Sequence, residues 1–242
     1  MLPSPASLTA LPPASPMNLK NTLVSRPLRT AVAAVLAGSA ACAWAGGLDS
    51  LEQFVRTTRS GQADFTQVVT MPGKDGQPPR TKTQSGSFAF QRPGKFRFDY
   101  RKPFEQTIVA DGQTLWLYDV DLNQVTARKQ AQVLGSTPAA IVAAAPDLKA
   151  LQRDFTLSEE PEQDGQQWVK AVPKARDGQL QNIRVGFRPG AQGAELSTLE
   201  IADSFGQRST LQFSNVAVNP ALPAASFQFK PPAGADVLNE SR

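Results

Sequence analysis

Between Lys95 and Arg101 the chain alternates without a break. Phe96, Phe98 and Tyr100 fall on one side; Lys95, Arg97, Asp99 and Arg101 fall on the other. A period of two over this length dictates a β-strand with one buried and one wetted face. The next run, Leu115-Trp116-Leu117-Tyr118, is apolar on both sides, and Asp111-Gly112 ahead of it is a tight hairpin signal. One sheet face therefore collects large aromatics while the other is charged. A curved antiparallel sheet with an apolar concave side fits this pattern.

The same reading extends along the chain. Leu48, Leu51, Phe54 and Val55 make the apolar stripe of a first helix, with Asp49 or Ser50 as its cap, Glu52 or Gln53 completing a capping box, and Gly61 ending it. Strand patterns follow at 64–71, 84–91, 95–101, 106–110, 114–118 and 124–129, separated by Pro72-Gly73, Asp75-Gly76, Arg92-Pro93-Gly94 and Asp111-Gly112. Ser136-Thr137-Pro138 then opens a small-residue helix containing Ile141 and Val142, which Pro146 stops, and 147–151 adds a further turn. Strands resume at 155–158, 167–172, 180–187, 195–202, 207–218 and 226–229. Regular meanders of this width curl as strand twist accumulates, and the helices must bury their stripes on the concave side.

The N-terminal segment reads as an export signal. Residues 1–16 are rich in Pro, Ala and Ser, and Met17 is the expected start. Lys20, Arg26 and Arg29 form the basic region, Ala31 to Ala41 the apolar region, and Ala43-Trp44-Ala45 the cleavage site. Cys42 lacks the leucine that lipoprotein signals carry three residues earlier, where Ser39 stands, and cleavage after Ala45 removes it. Residues 1–45 hold three cations and no anion, so 22 Lys and Arg remain against 21 Asp and Glu. The basic pI of about 9.4 therefore belongs largely to the signal and does not imply nucleic acid. Residues 46–242 suit one domain with neither Cys nor His. The usual zinc, copper and haem ligands are missing, as are Ser-His-Asp and Cys-His sites. No metal or other cofactor is expected, and an enzyme is the weaker reading.

The motifs GSFAFQRPGKFRFDY (86–100), IVADGQTLWLYD (108–119), STPAAIVA (136–143) and FQFKPPAGADV (227–237) stand in an order and spacing that resembles the LolA family of periplasmic lipoprotein carriers over essentially the whole of residues 46–242. The resemblance implies a mainly β fold: an unclosed antiparallel barrel of about eleven strands, enclosing an apolar cavity under a helical lid. It also implies a chaperone that takes acylated lipoproteins from an ATP-driven inner-membrane exporter. The cargo passes through the periplasm of a Gram-negative bacterium to the outer membrane and a LolB-type receptor there. The carrier is expected to be soluble and monomeric once the signal is removed. The receptor itself keeps a lipid-attachment cysteine, which the context of Cys42 argues against. A stress sensor resembling the RseB N-terminal domain is expected to need a second domain, for which the chain leaves no room.

The acyl-binding surface is expected from Phe96, Phe98 and Tyr100 on the sheet and from Leu51, Phe54, Ile141 and Val142 on the helices. Taken singly, each sheet aromatic reads by default as an ordinary core residue, and the cargo reading gains because only short helices are there to cover a very wide sheet; Trp116 and Tyr118 read as core or rim. Arg92, alone, is a solvated turn arginine; the resemblance makes it a latch donating to lid-helix carbonyls. Lys95, Arg97 and Arg101 form a basic stripe that meets either solvent or an acidic partner. Met71 and the 72–79 loop read as a hairpin at the barrel mouth, where a partner could dock. Two other functions stay open: a carrier of another lipid or glycolipid, and an envelope hydrolase using Asp99 and Glu105. Intact mass of the exported form should correspond to Gly46–Arg242 with no acyl addition, and a lipid-modified Cys42 at the N-terminus would overturn this.

Overall fold

Alternating segments become strands wherever turn residues let them reverse, and the result is one sheet. The computed structural model describes residues 46–73, 76–133, 145–175 and 178–239. Its strands are β1 (Ser60–Met71), β2 (Arg80–Gln91), β3 (Lys95–Lys102), β4 (Gln106–Asp111), β5 (Thr114–Asp119), β6 (Gln124–Lys129), β7 (Phe155–Gln163), β8 (Gln166–Pro173), β9 (Leu180–Gly190), β10 (Gly193–Asp203), β11 (Arg208–Val218) and β12 (Asp236–Asn239). They hydrogen-bond in the order β12-β6-β5-β4-β3-β2-β1-β11-β10-β9-β8-β7, leaving β12 and β7 as edges, so the sheet is unclosed. Neighbours pair antiparallel except β12, which runs parallel to β6. Between the two meanders lie helices α2 (Gln130–Val133) and α3 (Leu148–Asp154), the latter capped by Asp147, whose side chain accepts from the Ala150 N–H. The expected lid helix from Ser136 falls mainly at 134–144, outside the described residues.

Helix α1 (Gly47–Thr57) lies across the concave face and packs its buried Leu51, Phe54 and Val55 toward β8, β9 and β10. Its N-cap, Gly46, stands three or four residues before the expected Asp49 or Ser50, and supplies no side-chain cap. Glu159 of β7 does that work, accepting from the Gly47 N–H at 2.9 Å. A Cβ at Gly47 would stand 2.1 Å from the Trp168 carbonyl oxygen, so only glycine lets the helix start so near β8. Gly61 belongs to β1 instead of ending the helix: a Cβ there would meet the Phe90 ring at 2.3 Å.

Register carries the concave core across the sheet. Phe98 pairs with Phe88 and with Ile108, while Phe96 pairs with Phe90 and with Ala110. Further round, Ile183, Val185 and Phe187 of β9 continue the same buried face, as their alternation requires.

The convex face is not uniformly wet. Val109, Trp116 and Ala127 lie opposite one another on it, and Val109, Val125 and Ala127 are fully buried. The C-terminal segment covers them. It was expected to form a strand at 226–229, but it makes a 3-10 turn at Ala224–Phe227 and then runs through a second turn at Ala233-Gly234 into β12. Pro220, Pro223, Pro231 and Pro232 flank it, and proline cannot sustain a strand ladder. Phe227 is buried, and Phe229 packs on Trp116 and Tyr118 at centroid distances of 5.6 and 6.0 Å. Phe227→Ala should cost about 3–5 kcal/mol of unfolding free energy. Urea denaturation reads this directly, and a loss below about 1 kcal/mol would mean that the segment does not form a core of its own.

Candidate functional site

The concave face is an almost continuous aromatic layer. Phe187 meets Phe54 of α1 at 5.5 Å between centroids, and Phe54 meets Phe90 at 6.1 Å. Phe90 stacks on Phe88 at 5.7 Å and Phe88 on Phe98 at 4.4 Å; Phe65 then joins Phe98 and Tyr100 at 5.6 and 5.0 Å. Five residues expected on the cargo surface, Leu51, Phe54, Phe96, Phe98 and Tyr100, therefore share one cluster. Ile141 and Val142 lie outside the described residues. Phe65, Phe88, Phe90, Phe187 and Phe213 belong to the cluster and were missed as site residues. Phe88 and Phe90 show the same period-two signal as Phe96 and Phe98, but only the register reveals that all four rings face one another.

This layer is packed. Phe96 is 1% exposed and Phe98 6%. Burial pushes the Tyr100 phenol up to about 12, so it stays neutral. An apolar cleft of about 20 Å³ remains between Phe54, Phe88, Phe90, Leu196, Phe213 and Val218, room for roughly one water. Around this cleft, among the described residues, the protein's own side chains pack against one another.

Arg92 stands at the end of this layer, in the turn between β2 and β3, and is 8% exposed. Its backbone N–H donates to the Arg59 carbonyl at 2.8 Å, which fixes the turn against the chain leaving α1. Nε donates to the carbonyl of Thr58, the C-cap of α1, at 2.9 Å, and Nη1 donates to the carbonyl of Ala145 at 2.6 Å. The guanidinium lies 5.4 Å from the Phe54 ring centroid and 5.5 Å from that of Phe90. One side chain thus joins α1, the sheet and the segment that precedes α3. The Ala145 carbonyl is among those expected as its acceptors; the second acceptor, Thr58, was not foreseen.

The joint is far from fully satisfied. Nη2 and the Thr58 hydroxyl are buried without hydrogen-bond partners in the described structure. Burial, helped by the nearby charge of Arg59, lowers the Arg92 guanidinium to about 10. It therefore keeps its proton at neutral pH, and the closed arrangement bears the desolvation of that charge. Gln130, buried in α2, braces the same end: its side chain donates to the Gly94 carbonyl at 2.5 Å and accepts from the Gly112 N–H at 2.9 Å.

The remaining charges resolve differently. Arg97 donates to Asp99 at 2.7 Å, and Arg101 lies 3.8 Å from Asp64, so the expected basic stripe is largely neutralised within the convex face. Asp99 also accepts from Thr107 at 3.0 Å, while Glu105 is exposed on the β3–β4 loop. These two carboxylates do not form a shared acid–base site. Among the described residues no group of three or more His, Cys, Asp or Glu is arranged to hold a metal ion.

The chain matches known proteins over most of its length. Residues 56–230 match the family model described as outer membrane lipoprotein carrier protein LolA. An outer-membrane lipoprotein carrier protein of Albidiferax ferrireducens is 69% identical over 85% of this chain and 96% of its own length. Its counterpart in Leptothrix cholodnii is 53% identical over 84% of this chain and 91% of its own. Among solved structures, a LolA-superfamily protein of Nitrosomonas europaea matches with a TM-score of 0.44 and 14% identity, over 76% of this chain and 98% of that one. With its aromatic concave face and its match across most of the described domain, the chain belongs to the LolA family of outer-membrane lipoprotein carrier proteins.

Proposed function

We propose that this protein accepts acylated lipoproteins released from the inner membrane, shields their acyl chains against the concave aromatic face, and delivers them to the outer membrane. The observation that carries the reading is the Arg92 fork, which ties a covering segment at Ala145 to α1 across a filled apolar face. An acyl chain needs apolar area and no directional polar chemistry, and each buried CH₂ contributes about 0.8 kcal/mol. Leu51, Phe54 and Val55 of α1 and Ala145 already pack against this face, so cargo and cover compete for the same surface. Loading is then an exchange of contacts, and closing again drives cargo off.

Arg92 suits a reversible latch because its terms oppose one another. Two hydrogen bonds and two ring contacts hold it in place; desolvation and a buried, unpartnered Nη2 work against it. A fully satisfied buried charge would lock the cover down; a merely solvated arginine would not hold it at all.

The protein works in the periplasm, soluble once its signal is removed, and none of its described helices is long and apolar enough to cross a membrane. Its role in this reading is binding, and Asp99 is occupied by Arg97 and Thr107. Its supplier is an ATP-driven exporter of the inner membrane and its recipient a LolB-type receptor, both proposed from the family.

Arg92→Leu keeps the bulk and removes every donor. A charged hydrogen bond contributes about 1.5–3 kcal/mol, and the opposing burial terms place the net effect near the low end, about ten-fold in the closed-to-open ratio. Uptake from the exporter should be normal and release to an acceptor slowed about ten-fold, with Arg92→Lys intermediate because an ammonium cannot reproduce the fork. Release at the parental rate would show that Arg92 is a structural residue only. Phe96→Glu should lower the melting temperature, since a dry site costs a carboxylate several kcal/mol, while leaving the β-sheet circular dichroism intact and abolishing uptake. Lipoprotein uptake at the parental level would remove Phe96 from the cargo surface.

A further inference from the structure

The two ends of the sheet differ in kind. Every large hydrophobic side chain that is exposed among the described residues lies in the half of the sheet away from Arg92: Val68, Met71, Phe104, Val120, Leu122, Val172, Phe205, Val237 and Leu238. The exposed extremes sit on hairpin tips. Leu122 is 70% exposed between β5 and β6, Phe104 57% between β3 and β4, and Phe205 67% between β10 and β11. Met71, 39% exposed, closes β1 on the hairpin between Phe104 and Phe205. These are four consecutive hairpins in the sheet order, about 10 Å apart because two strands separate each from the next. At the opposite end the turns are Arg92-Pro93-Gly94, Gly112-Gln113, Asp164-Gly165 and Ala191-Gln192, with no large exposed apolar side chain.

Cations accompany the central tip. The Lys82 ammonium lies 5.1 Å from the Phe104 ring centroid, and Arg80 and Lys102 are exposed nearby with Glu105, while Arg101 lies 3.8 Å from Asp64; the flanking tips carry carboxylates, Asp119 and Asp121 at Leu122 and Asp203 at Phe205. We propose that this rim docks the protein edge-on against an anionic phospholipid surface, with Phe104, Phe205, Leu122 and Met71 entering the headgroup layer and Arg80, Lys82 and Lys102 meeting lipid phosphates. Four separate tips strung along roughly 30 Å of arc do not make the contiguous apolar patch that a protein partner would bury. A fluid interface receives scattered tips without needing a pocket for each, and aromatic side chains favour that layer. Cations near an anionic surface add about five-fold each to binding, in a salt-dependent way. The contact stands on the rim itself; its use, collecting or depositing cargo at a membrane, rests on the carrier reading.

Flotation of the full exported protein with phosphatidylglycerol-containing vesicles and with phosphatidylcholine vesicles tests this without any lipoprotein or exporter. The parent should float with the anionic vesicles, and binding should fall as salt rises. Phe104→Ser with Phe205→Ser should lower partitioning at least ten-fold at an unchanged melting temperature, whereas Gln192→Ser in an exposed turn at the other end should leave it unchanged. Phe104→Trp supplies a local readout: its emission, taken as a difference from the parent, should shift to the blue and be quenched by brominated lipid. No flotation of the parent, or flotation without quenching at position 104, overturns the proposal. So does a rim double variant that floats normally, or one that loses only loading from a reconstituted exporter, which would make the rim a protein-docking surface. Lipoprotein uptake is measured separately, so failure of the carrier reading and failure of rim docking give different results.

Discussion

The structure depends on the burial of one aromatic sheet face that is too wide for the sheet to hide by itself. Phe65, Phe88, Phe90, Phe96 and Phe98 would present a contiguous apolar surface to water if the strands stood alone. The chain answers by laying α1 over it with Phe54 inserted between Phe90 and Phe187, and by bringing the segment from Ala145 to α3 onto the same cluster through Ala145 and Leu151. These covers are short. Helix α1 has eleven residues and α3 seven, lengths that rarely persist in water without tertiary packing. Their stability is borrowed from the face they cover, so a ligand that takes the face also removes the reason for the cover to stay.

Arg92 joins the two covers. Its hydrogen bonds reach carbonyls on both covering elements, and its flat guanidinium lies near the rings of Phe54 and Phe90. A hydrophobic residue there could fill the space, but it would bind α1 and the Ala145 segment no more tightly than any other apolar contact. The guanidinium adds direction, since it is satisfied only when Thr58 and Ala145 stand together. The unpartnered Nη2 keeps that satisfaction incomplete.

Much of this was legible in the residues. The alternation at 95–101 fixed the strand, its buried face and its parity, and the aromatic and turn motifs located the family. What escaped were relations between segments. The capping pattern at Asp49 and Ser50 pointed to a later helix start because the true partner of the Gly47 amide, Glu159, is more than a hundred residues away. Gly61 reads as a helix stop because nothing local announces that Phe90 presses against it. The segment at 226–229 alternates like a strand, yet its phenylalanines bury against the sheet face while its prolines forbid a ladder. The packing of α1 and Ala145 onto the aromatic cluster was equally hidden, since alternation reports which side is apolar and not what lies against it.

The sheet is covered on opposite faces in its two halves: α1 sits inside toward β8 to β10, and the C-terminal segment sits outside against β3 to β6. The strands that carry Phe96, Phe98 and Tyr100 are therefore gripped from behind, through Phe227, Phe229 and the bond from Arg97 to the Ser226 carbonyl. Lifting the inner cover leaves that grip untouched. On the proposed carrier reading, the surface offered to an incoming acyl chain is then a preformed template, whose shape does not have to be rebuilt each time the protein empties and refills.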